Sequence, residues 1–469
     1  MAKIMEIEYS DSAKPELTVV FIWEGAAKPF EAIPQTFTGK KLETFYLPEK
    51  KTLIAGIGKK EEFKTDYYRR LASRAIKLAS FYKIPSVYFQ APGLEVNSYV
   101  AIAEGAMLGN YSFDKYKSDE AKFFKVQKLI MPLDAQGAKE KIEEAALVCA
   151  NNHIVRDLVN DNSDVVMPDY FEEKAKKVAS ENNLKFTSFH KEELQKLGMN
   201  CILAVGKAST QSPRLLTIEY NGDSSSQDKY LLVGKGICFD TGGLDLKPRD
   251  SMLEMRIDMA GAATVLGIIK SAAELKLKKN IVAIMAVTEN LIGENAYRPK
   301  DIIRSYSGKT IENLDTDAEG RLVLADALNY GVKTFNPKLV VEFSTLTGSV
   351  VGTFGSHSAG MFVNTQGSEF KQKMFEAGMQ TYERVWELPL FEEYLDETTG
   401  ERSDFRSLGK SRYNGAIFGG AFLSKFVEDK PFIHLDVAGT AHIEEPKDYM
   451  PKDGTGFGVR LAIEFLKKL

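Results

Sequence analysis

The chain has 469 residues, with 61 Lys and Arg against 65 Asp and Glu, 44% hydrophobic residues and 27% charged ones. That length exceeds what one hydrophobic core usually serves, which points to two domains or one large domain with an appendage, and the mixture excludes long disordered or low-complexity stretches. A net charge of −4 without an extended basic run offers no surface for nucleic acid or an anionic membrane, so the expected partner is small.

Residues 1–10 alternate charge with short apolar residues and lack the apolar stretch of a signal peptide. No window approaches the roughly 18 apolar residues that span a bilayer. Cys149, Cys201 and Cys238 are odd in number and widely spaced, as core thiols of a reducing compartment are. A cytoplasmic protein is expected.

In chain order, apolar runs at 17–22, 53–57 and 87–89 alternate with a helical pattern at 68–82, which predicts an N-terminal α/β domain over 1–137. The turn-rich break 134–137 leads into helical spacing at Ile142, Ala145, Ala146, Cys149 and Ile154, so residues 138–160 read as a connecting helix, with a second domain over 161–469. There the alternation is cleaner: strands at 230–233, 281–287, 339–343 and 432–437, and helices at 261–275, 322–330 and 459–469. Parallel strands need such crossovers, and the expected fold is α/β, a mixed central sheet flanked by helices. Ser224–Ser226, between Asn221 and Asp228, reads as a surface hairpin turn, and 392–411 as loop.

Three clusters carry chemistry. Lys235, Asp240 and Lys247 follow an apolar strand into a loop with glycines at 234, 236, 242 and 243, residues that permit positive φ and close backbone approach. Open α/β sheets place ligands at such strand ends, although a phosphate-cradling loop or a simple turn fits equally at this point. Asp258, ahead of Gly261-Ala262-Ala263, also suits a carboxylate at a helix N-terminus. Asp315, Asp317, Glu319 and Arg321 crowd before an apolar helix, where their repulsion calls for a hard divalent cation or, more blandly, for capping and ion pairing. Taken together, the carboxylates and Lys235 can hold two metal ions if one or two carboxylates bridge, a geometry that activates water and stabilises an oxyanion. Lys235 ligates only as a neutral amine, its pKa lowered by burial beside cations, while Lys247 stays cationic and polarises a scissile carbonyl.

The stretch Asp315-Thr316-Asp317-Ala318-Glu319-Gly320-Arg321-Leu322 resembles the signature of the cytosolic leucyl aminopeptidase family. The resemblance runs on through Val233-Gly234-Lys235-Gly236, Phe239-Asp240-Thr241-Gly242-Gly243, Thr345-Leu346-Thr347-Gly348 and His434-Leu435-Asp436-Val437-Ala438-Gly439, and more weakly through Glu104-Gly105 and Leu108-Gly109-Asn110-Tyr111. It implies that Asp240 and Glu319 are shared metal ligands, with Lys235 and Asp258 completing one site and Asp317 the other. By the same resemblance a metal-bridging hydroxide attacks the peptide carbonyl, Lys247 stabilises the gem-diolate, and Arg321 holds a bicarbonate that acts as general base. Met255, Thr345, Leu346 and Gly348 match positions that line the first side-chain pocket or hold the substrate's N-terminus. The implied protein removes Leu and other apolar N-terminal residues from short peptides, uses two Mn or Zn ions per subunit and assembles as a homohexamer of two trimers. Asp315 departs from the family's Asn and adds a negative charge beside the metals.

The five histidines, His153, His190, His357, His434 and His442, form no HExxH pair, and Ser344 and Ser356 lie in no GxSxG elbow, so both a histidine-ligated zinc protease and a serine hydrolase are set aside. Gly56-Ile57-Gly58 lacks the third glycine of a nucleotide loop, and Trp23 and Trp386 read as core. Two other classes stay open: a dimetal phosphoesterase, and a DNA-binding or scaffolding hexamer of the kind some relatives form.

Overall fold

The computed structural model describes residues 5–12, 14–119, 124–411 and 413–469. Residues 1–4 of the N-terminal stretch read above lie outside them. Two compact units emerge, Met1–His153 with Glu444–Lys452, and Ile154–Ile443 with Asp453–Leu469.

The first unit contains β1 (Glu6–Tyr9), β2 (Leu17–Ile22), β3 (Thr44–Leu47), β4 (Thr52–Gly56), α1 (Asp66–Phe81), β5 (Ser86–Gln90), α2 (Val96–Gly109) and β6 (Lys128–Met131). Its sheet has the order β1-β6-β5-β2-β4-β3, parallel except for the β3–β4 edge pair. Strand alternation divides β4 between two apolar layers. Leu53 and Ala55 pack with Leu71 and Ile76 of α1 and Ile102 of α2, whereas Ile54 faces Ile22, Ile33 and Phe37. The excursion Glu444–Lys452 belongs here too, with Tyr449 in this core and Asp448 accepting from Arg74 Nε at 2.7 Å. No sequence feature announces that return. The stretch read as a connector is one continuous helix, α3 (Lys139–Asn160), and the division between units falls inside it.

The second unit opens with α4 (Pro168–Glu181), β7 (Lys185–Phe189), α5 (Lys191–Leu197), α6 (Asn200–Val205), β8 (Arg214–Asn221) and β9 (Lys229–Asp240). Then come α7 (Arg249–Met252), a 3-10 turn over Met255–Met259, α8 (Ala260–Glu274), β10 (Asn280–Asn290), β11 (Ile302–Arg304), β12 (Thr310–Glu312), α9 (Glu319–Phe335) and β13 (Leu339–Ser344). The remainder is α10 (Gly348–Phe354), β14 (Ala359–Val363), α11 (Ser368–Thr381), β15 (Val385–Glu387), α12 (Glu392–Asp396), β16 (Phe405–Arg406), α13 (Gly415–Ser424), β17 (Phe432–Asp436), the short antiparallel pair β18 (His442–Ile443) and β19 (Asp453–Gly454), and α14 (Val459–Lys468). The main sheet has the order β15-β14-β17-β13-β9-β10-β8-β7. Its middle strands β17, β13, β9 and β10 are parallel, β8 and β7 continue antiparallel, and β14 pairs antiparallel with β17. Every residue of β10, β13 and β17 is buried, as befits parallel strands covered by helices on both faces, and this is the mixed, helix-flanked sheet the sequence predicts.

Two local expectations need correction. The turn around Ser224–Ser226 joins β8 to β9, but β10 lies between those strands, so it closes no hairpin. A Ser/Asp-rich stretch specifies a reversal and not which strands then pair. Asn280, the first residue of β10, donates Nδ2 to Asp223 O at 3.0 Å and Ser226 O at 2.9 Å and so fastens the turn to the intervening strand. The region read as loop at 392–411 contains α12 and the short β16, the latter paired with β12.

Candidate active site

Parallel strands deliver their C-terminal ends to one edge of a sheet, which is where ligands of α/β proteins bind. Here that edge receives Asp240 from β9, Asn290 from β10, Ser344 and the following Thr345 from β13, and Asp436 from β17. Beyond β9 the chain turns at Gly242 (φ 86°) and Gly243 (φ 66°), a left-handed backbone that side chains resist. Gly234 and Gly236 lie within β9 without positive φ and serve the other expected purpose, the close approach of α8 and β10 backbone.

The acids and lysines of the three sequence clusters converge. Lys235 Nζ lies 2.8 Å from both Asp258 Oδ2 and Glu319 Oε1 and donates to Thr345 O at 3.0 Å. Lys247 Nζ lies 2.9 Å from Asp240 Oδ2 and also pairs with Asp317 Oδ1. Asp240, Asp317 and Glu319 can bring one oxygen each within 4.8 Å of one another. The sequence pattern began the helix at Leu322, but α9 starts at Glu319, which places that carboxylate at the positive helix end. Gly320 follows because the space is taken: a Cβ there would stand 2.6 Å from Lys235 Cε.

Burial of so many like charges distorts their titration. The Asp240 carboxyl is pushed well above the usual range by burial and by Glu319 and Asp258 beside it. Asp258 is raised to about 7 by burial, despite Lys235. Asp317 is raised by burial too, and burial acts upward on Glu319, where Lys235 and Lys247 outweigh it and hold the carboxyl below the usual range. Burial pulls the Lys235 ammonium down, but Asp258, Glu319 and Asp240 outweigh it and keep the proton on. With acids alone for company Lys235 is therefore an ammonium, and only cations in their midst would give it the lowered pKa of a neutral amine ligand. Four carboxyl groups face two ammonium groups, and the upward push on Asp240, Asp258 and Asp317 marks an excess of acids that hard divalent cations with oxygen ligands would balance. Asp240, Asp317 and Glu319 lie close enough together to hold such an ion.

Arg321, two residues along α9 from Glu319, is buried but bonds to none of these acids. Its Nη1 donates to Ser407 O at 2.7 Å, its guanidinium lies 5.5 Å from the Phe418 ring centre, and its Nε has no acceptor. Of the positions expected to meet substrate, Thr345 joins the cluster directly, donating Oγ1 to Asp258 Oδ1 at 2.8 Å. Leu346 and the Thr347 N-cap of α10 are held by Asp436, which accepts from Leu346 N at 3.1 Å and Thr347 Oγ1 at 2.6 Å. Gly348 is exposed at the first position of α10, and Met255 stands three residues before Asp258 on the 3-10 turn. Asp315 Oδ1 accepts from Asp317 N at 2.9 Å, a bond that an Asn side-chain oxygen would make equally well.

Sequence reasoning passed over Asn290, Tyr297 and the role of Thr316. Asn290 Nδ2 donates to Asp240 Oδ1 at 2.7 Å and to Thr316 O at 2.9 Å, and Tyr297 Oη donates to the same Thr316 O at 2.7 Å. Thr316 Oγ1 donates to Gly242 O at 2.6 Å, joining the glycine loop to the acidic stretch. His434, within β17, pairs with Glu342 across the β13–β17 register, and His442 lies 3.4 Å from Glu254 and 3.5 Å from Asp453, carboxylates that Arg256 already engages.

Models of two domains match this chain: the cytosol aminopeptidase family catalytic domain over residues 153–463 and the N-terminal domain of the same family over 35–120. A "Probable cytosol aminopeptidase" of Geotalea uraniireducens (strain Rf4) is 38% identical over 92% of this chain and 90% of its own length. One from Protochlamydia amoebophila (strain UWE25) is 34% identical over 97% and 96%. Among solved structures, "Bottromycin maturation enzyme BotP in complex with Mn" superposes with a TM-score of 0.88 at 27% identity, covering 97% of this chain and 99% of that one. With its two-domain architecture, its converging acids and lysines and these relatives, the chain belongs to the cytosol aminopeptidase family, and is a metal-binding hydrolase of peptides.

Proposed function

We propose that this protein removes the N-terminal residue of short peptides at the β9–β13 strand ends, with two divalent metal ions held by Lys235, Asp240, Asp258, Asp317 and Glu319. The observation that carries this reading is the convergence of four carboxylates from three separate segments on two lysines in a mostly buried cluster. Asp240 and Glu319 would serve both ions, with Lys235 and Asp258 completing one site and Asp317 the other. Bound Mn or Zn supplies Lewis acidity and lowers the pKa of water. No histidine joins this set, and carboxylate and amine ligands leave the choice between the two metals to geometry and availability.

The remaining steps belong to side chains. Lys247, with 13% side-chain exposure at the mouth of the cluster, donates to the oxygen of the scissile carbonyl as it becomes a gem-diolate. Arg321 is a buried guanidinium that no carboxylate among the described residues hydrogen-bonds, and its planar fork of donors suits a bicarbonate, which would supply a general base there. Met255, Thr345, Leu346 and Gly348 hold the first side chain and the free amino group of the substrate. An apolar pocket there favours Leu, by about 1 to 3 kcal/mol for each fitting methylene. Cytoplasmic location and a homohexamer of two trimers accompany this reading; among the described residues no helix is long and apolar enough to cross a membrane.

A leucine-headed tripeptide, its N-acetylated form and an aryl phosphate monoester separate the classes. The free peptide alone is expected to be cleaved, with leucine released first; cleavage of the acetylated peptide at an internal bond, or of the phosphoester instead, would refute an aminopeptidase.

A further inference from the structure

Asn290 is the last residue of β10, a strand buried throughout. Where β10 pairs with β9 the register shifts between Thr288 and Asn290, which brings Asn290 opposite Asp240. Irregularities of this kind turn a side chain toward a new target and are common beside active sites. The turned amide is fully buried, and both groups it faces, Asp240 Oδ1 at 2.7 Å and Thr316 O at 2.9 Å, are acceptors. That chemistry fixes the orientation of the amide, with its nitrogen toward them.

The consequence is a bridge. Asp240 ends β9, while Thr316 immediately precedes Asp317 and lies three residues before Glu319. The Asn290 backbone carbonyl further accepts from Thr241 N at 2.9 Å and from Thr241 Oγ1 at 3.0 Å. One neutral residue therefore ties together the two segments that bear Asp240, Asp317 and Glu319. With Asp240 Oδ1 engaged by Asn290 and by Gly242 N at 2.8 Å, Oδ2 is the oxygen turned to the cluster, where Lys247 meets it. We propose that Asn290 is a positioning residue of the metal centre, whose amide orients the Asp240 carboxylate and sets its spacing from the Asp317–Glu319 segment. An uncharged donor suits this place: a lysine or arginine would compete with the metal ions for Asp240, and a carboxylate would face two acceptors with no proton to give.

The inference rests on the reading of Asp240, Asp317 and Glu319 as metal ligands, and its test separates the two. Chelated wild type, Asn290→Leu, Asn290→Ser and Tyr297→Phe are titrated with Mn2+ by calorimetry, and the visible spectrum of each Co2+-loaded protein is recorded. Leu matches Asn in size without the donor; Ser is small and uncharged and carries the test where Leu does not fold. Tyr297→Phe removes the other donor to Thr316 O and leaves the Asp240 partner in place, so it reports what loosening the loop alone does. Wild type is expected to take two Mn2+ per subunit, the Asn290 variants to bind about 10 to 100-fold more weakly with displaced Co2+ bands, and Tyr297→Phe to stay close to wild type. Unchanged Mn2+ affinity and Co2+ bands in a folded Asn290 variant would overturn the inference, as would an equal loss in Tyr297→Phe. Wild type that binds no metal would refute the ligand reading itself, and this inference with it.

Discussion

Both units bury charge, and they do so differently. In the N-terminal unit three arginines meet three acids, Arg69 with Glu104 at 2.5 Å and Asp66 at 3.9 Å, and Arg70 and Arg74 with Asp448, so that the two signs balance. In the second unit four carboxylates gather on two lysines, while Arg321 is buried with no hydrogen bond to a carboxylate among the described residues. Matched ion pairs hold an architecture in place; unmatched ones persist where a ligand is to complete them. The contrast locates the chemistry without reference to any motif.

Removing a shared ligand should break this picture most severely. Glu319→Ala is expected to lose metal together with activity, with turnover down by about three orders of magnitude, or some 4 kcal/mol at 1.36 kcal/mol per tenfold. Elemental analysis that found both metals at full occupancy would contradict it. Lys247→Ala and Arg321→Ala should each cost about 10² to 10³ in kcat, the range for loss of one oxyanion donor, while the metals stay in place. Steady-state kinetics beside metal analysis checks that split, and unchanged turnover in both would sink the assigned roles.

The N-terminal pair should behave in the opposite way. Glu104→Leu leaves Arg69 buried without its nearest partner and should lower stability by about 3 to 5 kcal/mol, with turnover per folded molecule unchanged. Denaturant unfolding and active-site counting distinguish the two effects. Gly320→Ala sharpens the contrast from the other side. Its methyl would press on Lys235, so a cost of about 1 to 3 kcal/mol should come with weakened metal binding, where overpacking elsewhere costs stability alone.

The smallest effect concerns acid. Burial pushes the Asp448 carboxyl up, but Arg74 and Arg70 outweigh it and hold it below the usual range. A carboxylate with a depressed folded pKa contributes stability that is present above its unfolded value, near 3.9, and lost as pH falls through the folded one. Asp448→Asn, which tolerates the positive φ of 50° at that position, should cost about 1 kcal/mol near neutrality, and the difference from wild type should vanish in acid. A difference that persisted at low pH would show that packing, not charge, sets the contribution.

Much of this was legible in the sequence where local pattern and burial coincide. The middle strands β9, β10, β13 and β17 stood out as apolar runs because helices cover both their faces, and the acidic stretch 315–322 stood out because carboxylates rarely crowd before an apolar helix. What pattern cannot carry is which strand lies beside which. The turn at 222–228 looked like a hairpin although β10 separates its strands, and Glu444–Lys452 gave no sign of belonging to the first unit. Asn290 escaped for the same reason: it is one polar residue at the end of an apolar run until a register shift sets it against Asp240. Gly320 likewise reads as part of a motif until Lys235 is seen filling its Cβ position.

The central claim is that the buried acids and lysines of β9, the 3-10 turn and α9 form a metal centre for peptide hydrolysis. Release of leucine from leucine p-nitroanilide and a short Leu-headed peptide, followed as chelated protein is given back Mn2+ or Zn2+ in counted equivalents, tests it most directly. The account predicts no turnover after chelation and recovery that saturates at two ions per subunit. A folded protein that binds two ions and still releases no leucine would contradict it.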